Sequence, residues 1–361
     1  KHGIKLVLGY TVEGFKEKDN GVEVLLKDNP SLQADMVVLA IGVTPDTVLA
    51  KEAGLELGIK ESIVVNDRME TSVPDIYAAG DAVQVKHYVT GNDALISLAG
   101  PANKQGRIIA DNICGGDSRY LGSQGSSVIK VFDMTAATTG INETNAKKSG
   151  LEVDTVILSP MSHAGYYPGG KVMTMKVVFE KETYRLLGAQ IIGYEGVDKR
   201  IDVLATAIHA GLKATQLKDL DLAYAPPYSS AKDPVNMAGF MIDNIAKGTL
   251  KQWHLEDMDK ISRDKSVVLL DVRTVGEFNR GHMDGFKNIP VDELRERINE
   301  IEKRKPVYLI CQSGLRSYIA SRILEGNGYE TYNFSGGFRF YDAVVNDRAL
   351  IERAYACGMD Y

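Results

Sequence analysis

Cys311, Gly314 and Arg316 lie within a single short loop and are the residues best placed to do chemistry together. The sequence VYLICQSGLRS at 307–317 predicts a short buried strand, a turn after the cysteine, and then a helix over Ser317–Glu325. Gly314 would allow backbone amides to point at the Cys311 sulfur, and the N-terminus of the helix would add positive potential. Such a cradle should favour a thiolate and stabilise an anionic persulfide, Cys–S–S⁻.

The segments on both sides of this loop resemble the rhodanese family of sulfurtransferases. In that family's order stand VLLDVR at 268–273, Glu277–Phe278, Gly281–His282, Asn288–Ile289–Pro290 and YNFSGGF at 332–338. The match covers about the last hundred residues, the size of a small domain. The resemblance implies that Cys311 is the nucleophile of sulfane-sulfur transfer and that Arg316 and the loop amides hold the persulfide charge. The remaining loop residues are Gln312, Ser313, Gly314, Leu315 and Ser317.

Simpler interpretations exist for some of these residues. A lone cysteine is usually a buried structural residue, and a rhodanese-like fold can also bind a partner without catalysing anything. Gly314 and Arg316 favour catalysis, because a core cysteine has no need of them at this spacing. Asp271 and Arg273 could brace the loop or form an ordinary structural ion pair. No catalytic role is expected for His282 in a packed turn, for Cys114 at a helix end, or for Cys357.

A second resemblance begins at residues 71–82, TSVPDIYAAGDA, which look like the second flavin-binding motif of the pyridine nucleotide–disulfide oxidoreductases. An apolar segment that ends in Ala40-Ile41-Gly42 precedes it at the family's distance. The resemblance implies FAD and NAD(P)H as cofactors. It also implies that Asp81 bonds the ribityl chain and that a helix beginning near Ser97 points its amides at the flavin. The implied cofactor-binding residues are Gly42, Gly80, Asp81, Ser97, Leu98 and Ala99.

Two tyrosine-rich stretches, Ser162–Gly170 and Leu222–Asn236, follow in the middle of the chain. Tyrosines beside Pro and Gly are often no more than surface anchors of loops. The coenzyme A–disulfide reductases, a branch of the same family, carry two tyrosines in corresponding loops, and Tyr166 and Tyr224 fit them best. A phenol can hydrogen-bond a thiolate or persulfide leaving group, so this pair could act as the acid. Coenzyme A is therefore the implied thiol.

The pattern of apolar residues predicts an α/β multidomain protein. The two resemblances imply the distal part of a flavoprotein with two dinucleotide-binding domains, an α+β dimerisation domain and an α/β rhodanese domain. The expected boundaries are 1–45 for the end of the NAD(P)H-binding domain, 46–122 for the returning part of the FAD-binding domain, 123–250 for the dimerisation domain and 251–361 for the rhodanese domain. The strands predicted in the first half are Lys5–Leu8, Val22–Leu26, Asp35–Ile41 and Asp75–Ala79, and a long helix is predicted over Leu95–Ile113.

Composition limits the function classes. The chain has 361 residues, 44% hydrophobic and 25% charged, with a net charge of −6, which gives no general reason to bind nucleic acid or an anionic membrane. The three cysteines indicate no disulfide framework, and a cytoplasmic location is expected. The six histidines show no metal-ligand spacing. The dimerisation domain implies a homodimer, with small thiols or persulfides as the other partners.

The sequence begins without methionine, has no G-x-G-x-x-G, and places no cysteine near a flavin-facing loop at its start. We therefore expect it to be the C-terminal part of a longer enzyme and not a competent reductase alone. The hypothesis is an FAD-dependent NAD(P)H reductase of coenzyme A disulfide, coenzyme A persulfide or polysulfide, with Cys311 carrying sulfane sulfur. The alternatives are a flavoprotein of the NADH oxidase or peroxidase type with an accessory rhodanese, and a non-catalytic rhodanese-like module.

Overall fold

A computed structural model describes residues 3–356, with side chains through residue 347. The chain falls into two compact units: residues up to Thr44 together with those from Tyr341 onward, and Pro45–Phe340. The first unit contains an antiparallel sheet of β1 (Val12–Lys18), β2 (Gly21–Leu26) and β3 (Asn29–Ala34), in that order. The strand predicted at Val22–Leu26 is confirmed.

Two other predicted strands of the first unit are wrong. Neither Lys5–Leu8 nor Asp35–Ile41 forms a strand, and the apolar side chains of the second segment are largely exposed. No strand within the described residues pairs with either segment. An apolar run becomes a strand only when a neighbouring strand supplies hydrogen bonds to its backbone, and these two runs lack that neighbour.

The second unit begins with a small region around a three-stranded sheet. Its elements are α1 (Val48–Glu52), β4 (Ile63–Val64), β5 (Val83–Lys86), β6 (Asp93–Ala94) and α2 (Ala99–Ile113), and the sheet order is β4-β5-β6. The predicted helix is confirmed as α2. The strand predicted at Asp75–Ala79 is wrong, because Asp75 adopts a φ of +63° that interrupts an extended chain, and only Tyr77 makes an isolated bridge, to Glu70.

A five-stranded antiparallel sheet forms the middle of the second unit. Its elements in chain order are β7 (Ser127–Val131), β8 (Met134–Gly140), α3 (Glu143–Lys148), β9 (Val153–Leu158), β10 (Thr174–Glu180), β11 (Leu186–Gly193), α4 (Val197–His209) and α5 (Pro234–Ala246). The sheet order is β7-β8-β11-β10-β9. Buried aliphatic residues of β9, β10 and β11 pack with those of α4 and α5 in one core. Two loops leave this core, one between β9 and β10 and one before α5.

A parallel sheet forms the remainder of the unit. Its elements are β12 (Gln252–Trp253), α6 (Met258–Ile261), β13 (Val268–Asp271), α7 (Val275–Arg280), β14 (Lys287–Asn288), β15 (Val307–Ile310), α8 (Leu315–Gly326), β16 (Thr331–Phe334) and the start of α9 (Gly337–Ala356). From Tyr341 onward α9 is counted with the first unit. The sheet order is β12-β16-β15-β13-β14. Cys311 follows the central strand β15, at the carboxyl edge where sites of parallel sheets form. The predicted strand is confirmed, and α8 begins two residues earlier than predicted.

The parallel sheet is attached to the edge of the middle sheet by direct hydrogen bonds. The Ile157 N–H donates to Ser335 Oγ at 3.1 Å, and Gln252 Nε2 donates to the Thr155 carbonyl at 2.7 Å. Arg322 Nη1 donates to the Thr249 carbonyl at 3.1 Å, just before β12. The first two bonds join β9 to the parallel sheet, and the third joins α8 to the segment between α5 and β12. Among the helices that the structure describes, none is long and apolar enough to cross a membrane.

Candidate active sites

The sulfur of Cys311 lies inside a cradle made by its own loop. The residue is 1% exposed, and its Sγ accepts hydrogen bonds from the Gly314 N–H at 3.1 Å and from Ser317 Oγ at 3.2 Å. Gly314 has a φ of +97° and is the N-cap of α8, so its backbone turns the N–H inward at little steric cost. Two donors and a helix N-terminus converge on one sulfur, and this arrangement suits a thiolate or a persulfide anion.

The Gly336-Gly337 turn holds the cradle from the opposite side. The Phe338 N–H donates to the Cys311 carbonyl at 2.8 Å. A Cβ on Gly337 would lie 2.6 Å from the Ser313 nitrogen and 2.7 Å from the Gln312 carbonyl oxygen, closer than real atoms approach. Gly337 also has a φ of +69°. The sequence showed the Gly-Gly turn, but only the fold shows that it packs on the backbone of the cysteine loop.

Arg316 is held by a partner that the sequence did not assign. Its Nη1 and Nη2 donate to the two carboxylate oxygens of Glu277, each at 2.7 Å. The hydrogen bonds from Arg316 are the main reason that the pKa of Glu277 falls to about 2. Glu277 also accepts from the Thr274 N–H at 3.0 Å and so caps α7. Its Thr-x-x-Glu capping-box pattern was the signal that could have located it.

Asp271 and Arg273 form a buried ion pair beside the loop. Arg273 Nη2 donates to Asp271 Oδ2 at 2.6 Å and to the Gly281 carbonyl at 2.8 Å. Its contact with the loop is longer, 3.4 Å from Nη1 to Gln312 Oε1. The geometry therefore favours the structural pair, with a weaker brace on the loop. The His282 side chain is exposed, and its ring stacks on Phe278 with the ring centroids 3.9 Å apart.

The outer face of the cysteine loop borders a cavity. Ser313, Gly314 and Leu315 line it together with Phe240 and Met241 of α5, and its volume is about 380 Å³. The cavity lies between the middle sheet's helices and the parallel sheet, because α5 supplies one wall and the loop supplies the other. Of the predicted loop residues, Gly314 and Ser317 therefore bond the Cys311 sulfur, whereas Ser313 and Leu315 line this cavity.

The two predicted tyrosines meet although they come from different loops. Tyr166 Oη and Tyr224 Oη are 2.9 Å apart and hydrogen-bonded, with the side chains 77% and 45% exposed. The hydrogen bond with Tyr166 is the main cause of a raised pKa at Tyr224. Tyr224 also lines a cavity of about 500 Å³ with His163 and Lys199. The pair can present a phenolic proton to a bound thiolate.

The predicted flavin-binding residues of the second unit lie together. The Gly80 N–H donates to Gln105 Oε1 of α2 at 2.7 Å, which holds Gly80 and Asp81 beside that helix. The helix starts at Ala99 with Leu98 as N-cap, preceded by Ser97, and no side chain caps it. Asp81 is exposed in a short 3₁₀ turn, Gly80–Ala82, rather than at the end of a strand. An uncapped helix N-terminus beside a carboxylate and a glycine fits an electron-rich ring system with a polyol chain.

The other predicted positions are simpler to describe. Gly42 belongs to the first unit, where it has a φ of +106° and nothing lies within 4 Å of where its Cβ would be. Cys114 is exposed and is the C-cap of α2, as expected for a helix end. Cys357 lies outside the described residues.

Comparison with protein families divides the chain into three matches. Residues 1–106 match the model described as pyridine nucleotide-disulphide oxidoreductase, and residues 126–234 match the dimerisation domain of the same family. Residues 254–343 match the rhodanese-like domain. The two oxidoreductase matches together cover more than half of the chain.

Individual relatives carry related names. The chain is 37% identical over 235 residues to an NAD(P)H sulfur oxidoreductase (CoA-dependent) of Pyrococcus abyssi, covering 65% of this chain and 52% of the relative. The crystal structure of reduced Bacillus anthracis CoADR-RHD has a TM-score of 0.90 at 46% identity, over 94% of this chain and 60% of that one. An NAD-dependent persulfide reductase from A. fulgidus has a TM-score of 0.83 at 40% identity, over 92% and 60%. The chain thus spans about half the length of the curated relative.

Proposed function

Because this chain belongs to the pyridine nucleotide-disulphide oxidoreductase family and carries a rhodanese-like domain, we propose that it is part of an NAD(P)H-dependent reductase of sulfur–sulfur bonds coupled to a sulfurtransferase. The proposed substrates are coenzyme A disulfide, coenzyme A persulfide or a related polysulfide. The observation that carries the coupling is the Cys311 cradle, with Gly314 and Ser317 both bonded to the sulfur. A peroxide-reducing flavoprotein has no use for a persulfide carrier.

The sulfurtransferase step is a thiolate exchange on sulfur. The Cys311 thiolate attacks the outer sulfur of a persulfide donor R–S–SH, a new sulfur–sulfur bond forms to Cys311, and the S–S bond of the donor breaks to release R–S⁻. The proton of the outer sulfur passes to the departing thiolate, so Cys311–S–S⁻ and R–SH remain and no net oxidation occurs. The Gly314 N–H and the Ser317 hydroxyl stabilise the anion, and Glu277 fixes the Arg316 guanidinium next to the loop. Attack by an acceptor thiolate on the outer sulfur reverses the step.

The reductive half belongs to the flavin region and the tyrosines. Bound FAD would take two electrons from NAD(P)H and pass them to a disulfide. In the second unit Gly80, Asp81, Ser97, Leu98 and Ala99 are the residues proposed to hold it. The role of Gly42 stays a prediction from the resemblance. Tyr224, with Tyr166 hydrogen-bonded to it, supplies a proton to the thiolate that leaves when the sulfur–sulfur bond is cleaved. In a homodimer the exposed pair would face the site of the second subunit.

The test compares two substrates in the full-length protein. NADH consumption is measured with coenzyme A disulfide and with coenzyme A persulfide, for the wild type and for Cys311→Ser. Loss of sulfur transfer and of sulfide release from an external sulfane donor, with disulfide reduction intact, supports the coupled function. Cys114→Ser is the matched control, because Cys114 is exposed at the end of α2, and it should leave both rates unchanged.

Two results would contradict the proposal. If Cys311→Ser leaves both sulfur transfer and persulfide turnover at the wild-type rate, Cys311 is outside the cycle. If NADH is consumed rapidly with oxygen alone and slowly with either sulfur substrate, the protein functions as an NADH oxidase.

A further inference from the structure

We propose that Arg200 is the positioning residue for the tyrosine pair, because its guanidinium ties together the two loops that carry Tyr166 and Tyr224. The inference rests on the proposed acid role of the pair. Arg200 lies on α4, is 1% exposed, and touches neither phenol in any hydrogen bond that the described structure contains. Its action on the reaction is therefore indirect.

The guanidinium bonds both loops at once. Arg200 Nη2 donates to the Ser162 carbonyl at 2.9 Å, four residues before Tyr166. The same nitrogen donates to Ser229 Oγ at 3.1 Å and makes a longer contact of 3.4 Å with the Tyr228 carbonyl, four residues after Tyr224. A single planar group with five donors can satisfy acceptors from separate segments in a way that a lysine ammonium cannot.

The charge of Arg200 is balanced by Asp233, which also fixes the end of the second loop. Arg200 Nε donates to Asp233 Oδ2 at 3.1 Å and Nη2 donates to it at 2.9 Å. Asp233 is the N-cap of α5, where its Oδ1 accepts from the Val235 N–H at 3.0 Å. Burial alone would raise the pKa of Asp233, but hydrogen bonds led by those from Ser229 and Arg200 outweigh it and leave the pKa below its usual value. The ion pair is thus charged, buried and anchored to a helix.

A backbone bond continues the connection toward the tips of the loops. The Ala164 N–H donates to the Ser229 carbonyl at 2.9 Å, so the loops are already joined two residues before Tyr166. From there each loop extends to an exposed phenol, and the two phenols meet at 2.9 Å. A hydrogen bond weakens steeply with a few tenths of an ångström, whereas one residue of chain spans about 3.5 Å. A shift of either loop by less than the length of one residue is therefore enough to break the hydrogen bond between the two phenols.

The experiment measures the phenol directly in the full-length protein. Tyrosines are replaced with 3-fluorotyrosine, the ¹⁹F resonance of Tyr224 is assigned with Tyr224→Phe, and its pKa is followed by titration. Arg200→Lys is the main variant, because it keeps the positive charge beside Asp233 but loses the planar guanidinium that bonds both loops. In Arg200→Lys we expect the Tyr224 pKa to decrease by at least half as much as it decreases in Tyr166→Phe. We also expect kcat for coenzyme A disulfide to decrease in Arg200→Lys.

The control is Lys218→Gln, which removes a partly exposed cation whose ammonium pairs with Asp243 at 3.2 Å and Asp219 at 3.5 Å, and not with the loop groups that Arg200 bonds. It should leave the Tyr224 pKa and kcat at wild-type values. If Arg200→Lys does not fold, Ser229→Ala removes one acceptor of the guanidinium and should shift the Tyr224 pKa in the same direction by a smaller amount.

The outcomes distinguish the positioning role of Arg200 from the acid role of the tyrosines. A folded Arg200→Lys protein with a wild-type Tyr224 pKa overturns the inference, and so does an unshifted Ser229→Ala protein where that variant has to be used. A third outcome is a lowered Tyr224 pKa in Arg200→Lys together with wild-type turnover in Arg200→Lys and in Tyr224→Phe. That result supports the positioning role of Arg200 and refutes the proposed acid role of the tyrosines.

Discussion

Ser317 Oγ donates a hydrogen bond to Cys311 Sγ across 3.2 Å, from the first turn of α8 back to the residue that follows β15. The hydroxyl also lies 3.1 Å from the Gly314 carbonyl, and its single proton should prefer the sulfur once the sulfur is anionic. A hydrogen bond to a charged group contributes about 1.5–3 kcal/mol. We therefore expect Ser317→Ala to lower the sulfur-transfer rate at least about tenfold. Transfer from thiosulfate or a persulfide donor to cyanide measures it.

The control for that substitution is Ser321→Ala. Ser321 is buried one turn further along α8 and donates to the Tyr318 carbonyl at 2.7 Å, without contact to the sulfur. Its removal costs the helix a similar side-chain bond, so the rate should stay near wild type. Equal losses in the two variants would show that helix packing, and not the bond to Cys311, sets the rate.

Arg316 and Glu277 should behave as one functional unit. Each guanidinium Nη atom is bonded to one carboxylate oxygen at 2.7 Å, so Arg316 cannot keep its position when Glu277 becomes Gln. For a partly exposed pair we expect each of Arg316→Gln and Glu277→Gln to lower sulfur transfer by about fivefold, about 1 kcal/mol. The double variant should be no slower than the slower single variant. Additive losses in this double-mutant cycle would mean that the two residues act independently.

The same pair predicts a pH dependence of stability. The pKa of Glu277 is lowered from 4.5 to about 2 in the folded protein, mainly by Arg316. A lowered carboxyl pKa stabilises the fold above the unfolded value, and this contribution is lost as pH falls through the folded value. The difference in unfolding free energy between wild type and Glu277→Gln should therefore be constant from pH 7 to pH 5 and shrink between about pH 4.5 and pH 2. Urea titrations at fixed pH measure it, and a difference that already changes between pH 7 and pH 5 contradicts the assignment.

Gly337 should tolerate no side chain. Alanine there would place a Cβ 2.6 Å from the Ser313 nitrogen and would occupy a φ of +69°. The conformation alone costs about 1–2 kcal/mol, and the contact adds to it. We expect Gly337→Ala to lower the free energy of unfolding by at least about 2 kcal/mol and to abolish sulfur transfer, because the cysteine loop must shift.

Gly326→Ala is the matched control for Gly337→Ala. Gly326 lies at the end of α8, and nothing lies within 4 Å of where its Cβ would be. Alanine should leave activity unchanged and raise helix stability by up to about 1 kcal/mol. If Gly337→Ala is as active as this control, the close packing of the Gly-Gly turn on the loop is incorrect.

The tyrosines should divide the acid work unequally. Tyr224 lines the adjacent cavity, and Tyr166 supports it through the hydrogen bond between the two phenols. Since a general acid contributes about 100-fold or more, we expect Tyr224→Phe to lower kcat for coenzyme A disulfide by about that factor and Tyr166→Phe by less. Tyr167→Phe keeps the edge contact of its ring with His163 and should stay near wild type. Equal rates in all three variants would exclude the pair from the reaction.

The sequence alone was sufficient for the family and for the cysteine loop. The predicted α/β organisation, with oxidoreductase, dimerisation and rhodanese domains, is confirmed by the three family matches, while the boundaries at 45, 122 and 250 stay predictions. The loop was predictable because its strand, glycine, arginine and helix start are contiguous, and the bonds from Gly314 and Ser317 to Cys311 span only three and six residues. Contacts between residues this close in the sequence can be predicted from residue types and spacing alone.

Tertiary structure decided the relationships between distant residues. Glu277 lies 39 residues from Arg316, Tyr166 lies 58 residues from Tyr224, and Arg200 reaches 38 residues back to Ser162. No spacing rule links such positions, because the contacts form only when separate strands and helices share one core. For the same reason the apolar run Asp35–Ile41, with no strand among the described residues beside it, does not become the strand that its composition predicts.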